Sequence, residues 1–114
     1  MANTPDHADI VQIATTLDAV EEAEALSRSV VEARLAACAQ TDGPITSVFR
    51  WDGAVQTEQE WRVTFRTTAA LAEQLVEHIV REHSYDVPEV VVTPVVGGHE
   101  AYLEWVRDET RSLP

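Results

Sequence analysis

Apolar positions recur along this chain with two periods, and the switches between them mark out its elements. Over residues 9–15, Val11 and Ile13 alternate with Ile10, Gln12 and Ala14, which predicts a strand. Residues 19–35 then carry Ala23, Leu26, Val30 and Val31 on one helical face, with Glu21, Glu22, Arg28 and Glu32 largely off it. Asp18 sits three residues before Glu21, approximating a capping box at the start of that helix. Gly43-Pro44 breaks the segment that follows. Residues 45–51 alternate Ile45, Ser47, Phe49 and Trp51 against Thr46, Val48 and Arg50. Asp52-Gly53 then offers a tight hairpin turn, because both residues tolerate positive φ. On the return, Val55, Thr57, Gln59, Trp61, Val63 and Phe65 share one side, and Arg62, Thr64 and Arg66 the other. Thr68 is placed to cap a second helix, residues 69–83, with an apolar stripe of Leu71, Leu75, Val76 and Ile79. Residues 90–95 are nearly all β-branched and read as a central or covered strand. Gly97-Gly98 ends it, and a third helix, residues 100–111, carries Tyr102, Leu103, Trp105 and Val106.

The resulting order is β-α-β-β-α-β with an extra C-terminal helix. That is the split βαβ, ferredoxin-like α+β plait, with two helices on one face of an antiparallel sheet and the other face open. The hairpin strands are longer than a small plait needs to cover its helices. Long, partly apolar strands beside an open sheet face predict a homo-oligomer.

At 114 residues the chain is read as one domain, residues 10–114, preceded by a disordered arm, residues 1–9. That arm has neither a basic stretch nor an apolar core, so no signal peptide is expected, and no run is long enough to span a bilayer. Eight basic residues, all Arg, face 20 acidic ones, for a net charge of -12. Such a surface repels phosphate backbones and anionic lipid, so neither nucleic acid nor membrane is an expected partner. Cys38 is the only cysteine, which removes any intramolecular disulfide and makes the cytoplasm the default setting.

Candidate chemistry concentrates in residues 83–89, His-Ser-Tyr-Asp-Val-Pro-Glu, at the exit of the second helix. An imidazole, a phenol and two carboxylates fall within seven residues there, and Pro88 biases Val87 to an extended conformation before the last strand. His83 has a plainer reading as a cap on the last carbonyls of its helix. His78 lies five residues from His83 and therefore on a different face, so the two are not a zinc-helix pair. His7 in the arm and His99 near the third helix read as solvent-exposed. Cys38, inside Leu35-Ala36-Ala37-Cys38-Ala39, reads as a small apolar packing residue. Trp51 stands out because a monomer has little to bury it against so close to the hairpin tip. Arg66 reads equally as an ion pair across the sheet.

Four motifs together resemble one family: Arg34-Leu35-Ala36-Ala37-Cys38, Trp51-Asp52-Gly53, Tyr85-Asp86-Val87-Pro88-Glu89 and Tyr102-Leu103-Glu104-Trp105. They look like the CutA divalent-cation tolerance proteins, over nearly the whole chain. The resemblance implies a ferredoxin-like protomer in a tight homotrimer joined through sheet edges and the long hairpin. It also implies a cytoplasmic setting, an association with copper and other divalent cations, no organic cofactor and no enzymatic reaction. His83 and Glu89 match the family's proposed metal-binding region. An N/O pair suits weakly held Zn(II) or Cu(II), completed by Asp86, water or a neighbouring subunit. Trp51, Arg66 and Tyr85 would shape an adjoining pocket. The chain departs from the family at Ala14, where some members carry a cysteine, which removes the soft ligand that favours copper. It has Arg66-Thr67 where many carry Lys-Thr, replacing a point charge by a planar fork. A regulatory trimer of the PII kind, binding a nucleotide between subunits, ranks second, because the basic residues are scattered. An acylphosphatase-like hydrolase ranks last, because Thr15-Thr16-Leu17-Asp18 offers neither glycine nor arginine to grip an anion.

Overall fold

A computed structural model describes residues 9–111. In chain order the elements are β1 (Ile10–Leu17), α1 (Val20–Glu32), β2 (Cys38–Trp51), β3 (Ala54–Thr68), α2 (Ala72–Glu82), β4 (Val90–Pro94) and α3 (Glu100–Glu109), with a 3-10 turn, Ala69–Leu71, leading into α2. The sheet order is β2-β3-β1-β4, and every neighbouring pair is antiparallel. This is the ferredoxin-like plait, with α3 added.

The strand period decides which side chains meet the helices. Val11, Ile13 and Leu17 of β1 and Val63 and Phe65 of β3 point to one face, where Ala23, Leu26 and Val30 of α1 and Leu75 and Ile79 of α2 complete the main core. Ile10 points the other way. It meets Leu103 and Val106 of α3, with Ala37, in a second small core. The sheet face expected to be open is therefore covered by α3 at one end. Of the two expected stripes, Val31 is 37% exposed, so α1 turns it outward.

Several boundaries differ from the expected ones for identifiable reasons. Asp18 caps nothing: β1 stays paired to β3 as far as Leu17, and α1 starts after Ala19, whose extended backbone carries no side-chain cap. Thr68 does not cap α2 either, because it is still paired with Ile10 at the end of β3. The end of α1 is a Schellman turn. Arg34 takes φ 60, its N–H donates to Val31 O and the Leu35 N–H donates to Val30 O. β4, expected to be central or covered, pairs only with β1 and leaves Val91 and Val92 47% and 42% exposed. A β-branched run suits any pleated position, and here the central places go to β1 and β3. Of the expected arm, only Asp9 is described. Its carboxylate takes two hydrogen bonds from Arg107, at 2.6 and 3.1 Å. His7 lies outside the described residues.

Gly43-Pro44 does not break the strand. β2 runs through it as a bulge, since Asp42 faces Arg62 and Ile45 faces Glu60. Gly43 sits at φ 149, where an added Cβ would lie 2.7 Å from Trp61 Cδ1, so only glycine fits. The extra residue resets the alternation, which keeps Ile45, Ser47, Phe49 and Trp51 on the same face as Cys38 and Gln40. The turn at Asp52-Gly53 has φ 55 and 81, as the dipeptide predicts. β1 ends opposite Trp61, so beyond that point the hairpin is a two-stranded ribbon without a third strand. The ribbon sets the long axis of a molecule measuring 49 × 34 × 21 Å and carries Val48, Trp51 and Val55 at 65%, 50% and 63% exposure. Among the described residues no helix is long and apolar enough to cross a membrane.

Candidate functional site

Where the ribbon leaves the body of the sheet, it meets the loop of residues 83–89. Between them lies a cleft of about 710 Å³, reached by Thr16 of β1 and Asp18 just beyond its end, from the ribbon by Ser47, Phe49, Trp51, Glu58 and Glu60, and from the loop by Tyr85, Asp86 and Glu89.

The loop is fixed by His83. After α2 its backbone turns extended, and its ring leaves the helix end for β1, with Nε2 2.8 Å from Thr16 O. The Tyr85 N–H donates to Nδ1 at 3.1 Å. Nδ1 thus accepts, so Nε2 carries the proton and donates to the Thr16 carbonyl. The ring also packs at 4.7 Å from that of Tyr85. Both nitrogens are engaged, which leaves no free lone pair for a metal, and the ring does not cap α2 either. His83 stands behind the cleft rather than in its wall.

Held this way, Tyr85 donates its phenol proton to Glu60 Oε2 at 2.7 Å. Glu60 is only 6% exposed, an unusual position for a carboxylate. Burial pushes the Tyr85 phenol well above its ordinary range, reinforced by the hydrogen bond to Glu60 and by the charges of Glu60, Asp18 and Glu58. Its proton is therefore committed to the carboxylate. Asp18, Glu58, Asp86 and Glu89 add four further acids around the cleft, against one lining base among the described residues, Arg50. Among the described residues none of these five acids forms a salt bridge. Nor do any three or more His, Cys, Asp or Glu side chains stand close enough to hold a metal ion.

Of the residues singled out from the sequence, Asp86, Glu89, Trp51 and Tyr85 come together in this one cleft, with His83 as its support. Arg66 does not join them. It lies on the same sheet face nearer α3, where it donates to Gln12 Oε1 at 3.0 Å, to Gln40 Oε1 at 2.7 Å and more weakly to Cys38 Sγ at 3.8 Å. Burial pulls its guanidinium down, but the contacts with Cys38 and Tyr102 leave it above its ordinary value. Cys38, expected in the core, is half-buried here with Sγ 3.3 Å from the Tyr102 hydroxyl. The register explains this, because Cys38 opens β2 opposite Arg66 and so shares its face, away from α1 and α2. Burial, and then Cys38, push the Tyr102 phenol up, while Arg66 opposes them. His78 bridges the helices instead, 2.8 Å from Ser29 Oγ. His99 is exposed, and its carbonyl starts α3. The residues that sequence reasoning missed are Glu60, Glu58, Phe49 and Asp18. The alternation that put Arg62 and Arg66 on the outer face of β3 extends by two steps to Glu60 and Glu58.

Fold and cleft together define a ferredoxin-like plait with an elongated hairpin and an anionic, aromatic-walled recess. The chain belongs to the CutA1 divalent ion tolerance protein family, whose pattern matches residues 11–109. It is 41% identical over 92 residues to the chloroplastic CutA protein of Arabidopsis thaliana, covering 81% of this chain and 50% of that one. It is 37% identical to the divalent-cation tolerance protein CutA of Thermus thermophilus, covering 83% of this chain and 92% of the relative. The chain thus spans about half the length of the plant relative but nearly all of the bacterial one. In three dimensions it superimposes on CutA from Synechococcus elongatus with a TM-score of 0.88 at 34% identity, over 93% of this chain and 94% of that structure.

Proposed function

We propose that this chain is a non-catalytic cation-binding protein that works as a homotrimer and gathers divalent cations, Zn(II) or Cu(II) among them, in the cleft between hairpin and loop. The observation that carries this reading is Glu60: a carboxylate 6% exposed, without an ion pair among the described residues, beside four more acids in the same recess. The Tyr85 hydroxyl satisfies part of this carboxylate but brings no positive charge, and an incoming cation would supply one. The ligands are oxygens, which suit hard and borderline cations better than Cu(I), and Ala14 adds no thiolate. Because no three acids converge on one point, capture is loose and rests on field as much as on coordination. Glu60, Asp86 and Glu89 are the acids that attract the cation in this reading, and His83 holds the loop that carries two of them. The unsupported ribbon favours the trimer. Two-stranded ribbons are marginal alone, and its exposed Val48 and Val55, on the face opposite Phe49 and Trp51, offer apolar surface for a second copy to cover. Its lone cysteine is consistent with a reducing compartment such as the cytoplasm.

Isothermal titration with Zn(II) and Cu(II) tests this. Saturable binding that weakens about tenfold in Glu60→Gln, as the loss of one charge-assisted contact predicts, supports it. His83→Ala should weaken binding only through the loop, with a smaller effect than Glu60→Gln. Absence of saturable binding, or binding indifferent to Glu60 and Glu89, overturns it.

A further inference from the structure

The register of the ribbon gives the cleft a polarity that a bare metal ion does not need. Along one face, Glu60 is opposite Ile45, Glu58 opposite Ser47, Gln56 opposite Phe49 and Ala54 opposite Trp51. The charge therefore lies at the end nearest the loop, where Asp18, Asp86 and Glu89 add to it, and the aromatic rings lie toward the tip. At about 3.4 Å per residue, the Glu58 row and the Phe49 row are roughly 7 Å apart. The single base, Arg50, belongs to the tip end, opposite Val55. A metal ion needs several ligands within about 2.0–2.6 Å of one point, and no three acids of the cleft provide that. A volume of about 710 Å³ instead matches the roughly 300–1,000 Å³ of small-molecule sites. Rings such as Phe49 and Trp51, 38% and 50% exposed, present apolar area and faces that attract ammonium groups within about 6 Å.

We propose that the cleft accommodates an organic cation with an apolar body, its ammonium head between Glu58 and Glu60 and its apolar part over Phe49 and Trp51. This rests on the reading of the recess as a cation site and names the class of ligand that its shape favours. Divalent ions and organic ammonium ions then compete for the same acidic end.

The test is calorimetric titration of the assembled 114-residue chain at neutral pH with three probes: phenethylammonium, its neutral counterpart 2-phenylethanol, and Zn(II). The expected result is saturable phenethylammonium binding, displaced by Zn(II), with 2-phenylethanol at least about tenfold weaker because it lacks the charge. Glu58→Gln, an exposed position whose change leaves the core intact, and Glu60→Gln should each weaken phenethylammonium about tenfold. Trp51→Ala should weaken it about fivefold, through loss of the ring face. Zn(II) binding without phenethylammonium binding, or equal binding of the charged and neutral probes, overturns this inference and leaves the divalent reading standing. Phenethylammonium binding without Zn(II) does the reverse. No binding by either cation overturns both.

Discussion

Removing a single hydroxyl, in Tyr85→Phe, isolates the contact on which the cleft is built. The phenol donates to Glu60 Oε2 at 2.7 Å, and Glu60 is 6% exposed, so water has little access to replace the lost donor. A hydrogen bond to a charged group contributes about 1.5–3 kcal/mol, and the partner left behind keeps its desolvation penalty. The variant should therefore be destabilised by about 2 kcal/mol in urea unfolding, with protein concentration held fixed because the proposed assembly would add to stability. The effect has a pH signature. Burial first, and then Glu60, raise the folded phenol above its unfolded value of about 10. A group whose folded pKa is raised contributes stability that is complete below the unfolded value and is lost as pH rises toward the folded one. The gap between wild type and Tyr85→Phe should accordingly be flat from neutral pH to about 9 and should close above about 10, where the unfolded wild type begins to ionise. A variant within about 0.5 kcal/mol of wild type at neutral pH, or a gap that widens in alkali, would refute the reasoning.

Further outcomes follow from other sites. Both tyrosines of the chain, Tyr85 and Tyr102, are pushed up by burial, so spectrophotometric titration of the folded protein should show less phenolate absorbance than the urea-unfolded chain at the pH where the latter is half ionised. One tyrosine titrating normally would contradict one of the two environments. Thr15 is fully buried with an Oγ1 that meets no partner among the described residues, so Thr15→Val should leave stability within about 1 kcal/mol or raise it; a loss of more than about 2 kcal/mol would mean that the hydroxyl is paired after all. Gly43→Ala drives a Cβ to 2.7 Å from Trp61 at φ 149, and unfolding curves should register a loss of about 1–3 kcal/mol. A neutral result there would dismiss the bulge as the device that sets the face of the ribbon.

Most of the fold was legible because its signals are local. Asp52-Gly53 names its turn whatever surrounds it, and the alternations on both sides of it give a register that the structure keeps. The misreadings came where distant pairing outvoted a local cue. Asp18 and Thr68 have the chemistry of helix caps, but β1 and β3 stay paired to Leu17 and Thr68 and carry the strands right up to both positions. Gly43-Pro44 has the chemistry of a break, yet a paired strand on one side absorbs it as a bulge. The site was half legible. Tyr85, Asp86 and Glu89 stood out by their density in one loop, whereas Glu60 comes from a strand 25 residues away from Tyr85 and is tied to it only by folding. His83 was noticed for its chemistry and turns out to be a brace. No spacing rule announces that both its nitrogens find partners, one of them on β1.

Entry of cations into the recess beside Glu60 is the central event of the proposed function. The most direct measurement is an amide NMR titration of the isotopically labelled protein with Zn(II), repeated on Glu60→Gln. Shift changes confined to Thr16, Asp18, Glu58, Glu60 and residues 85–89, saturating in the wild type and lost in the variant, are the predicted result. Changes centred instead on Cys38, Arg66 and Tyr102, or identical in the variant, would contradict it.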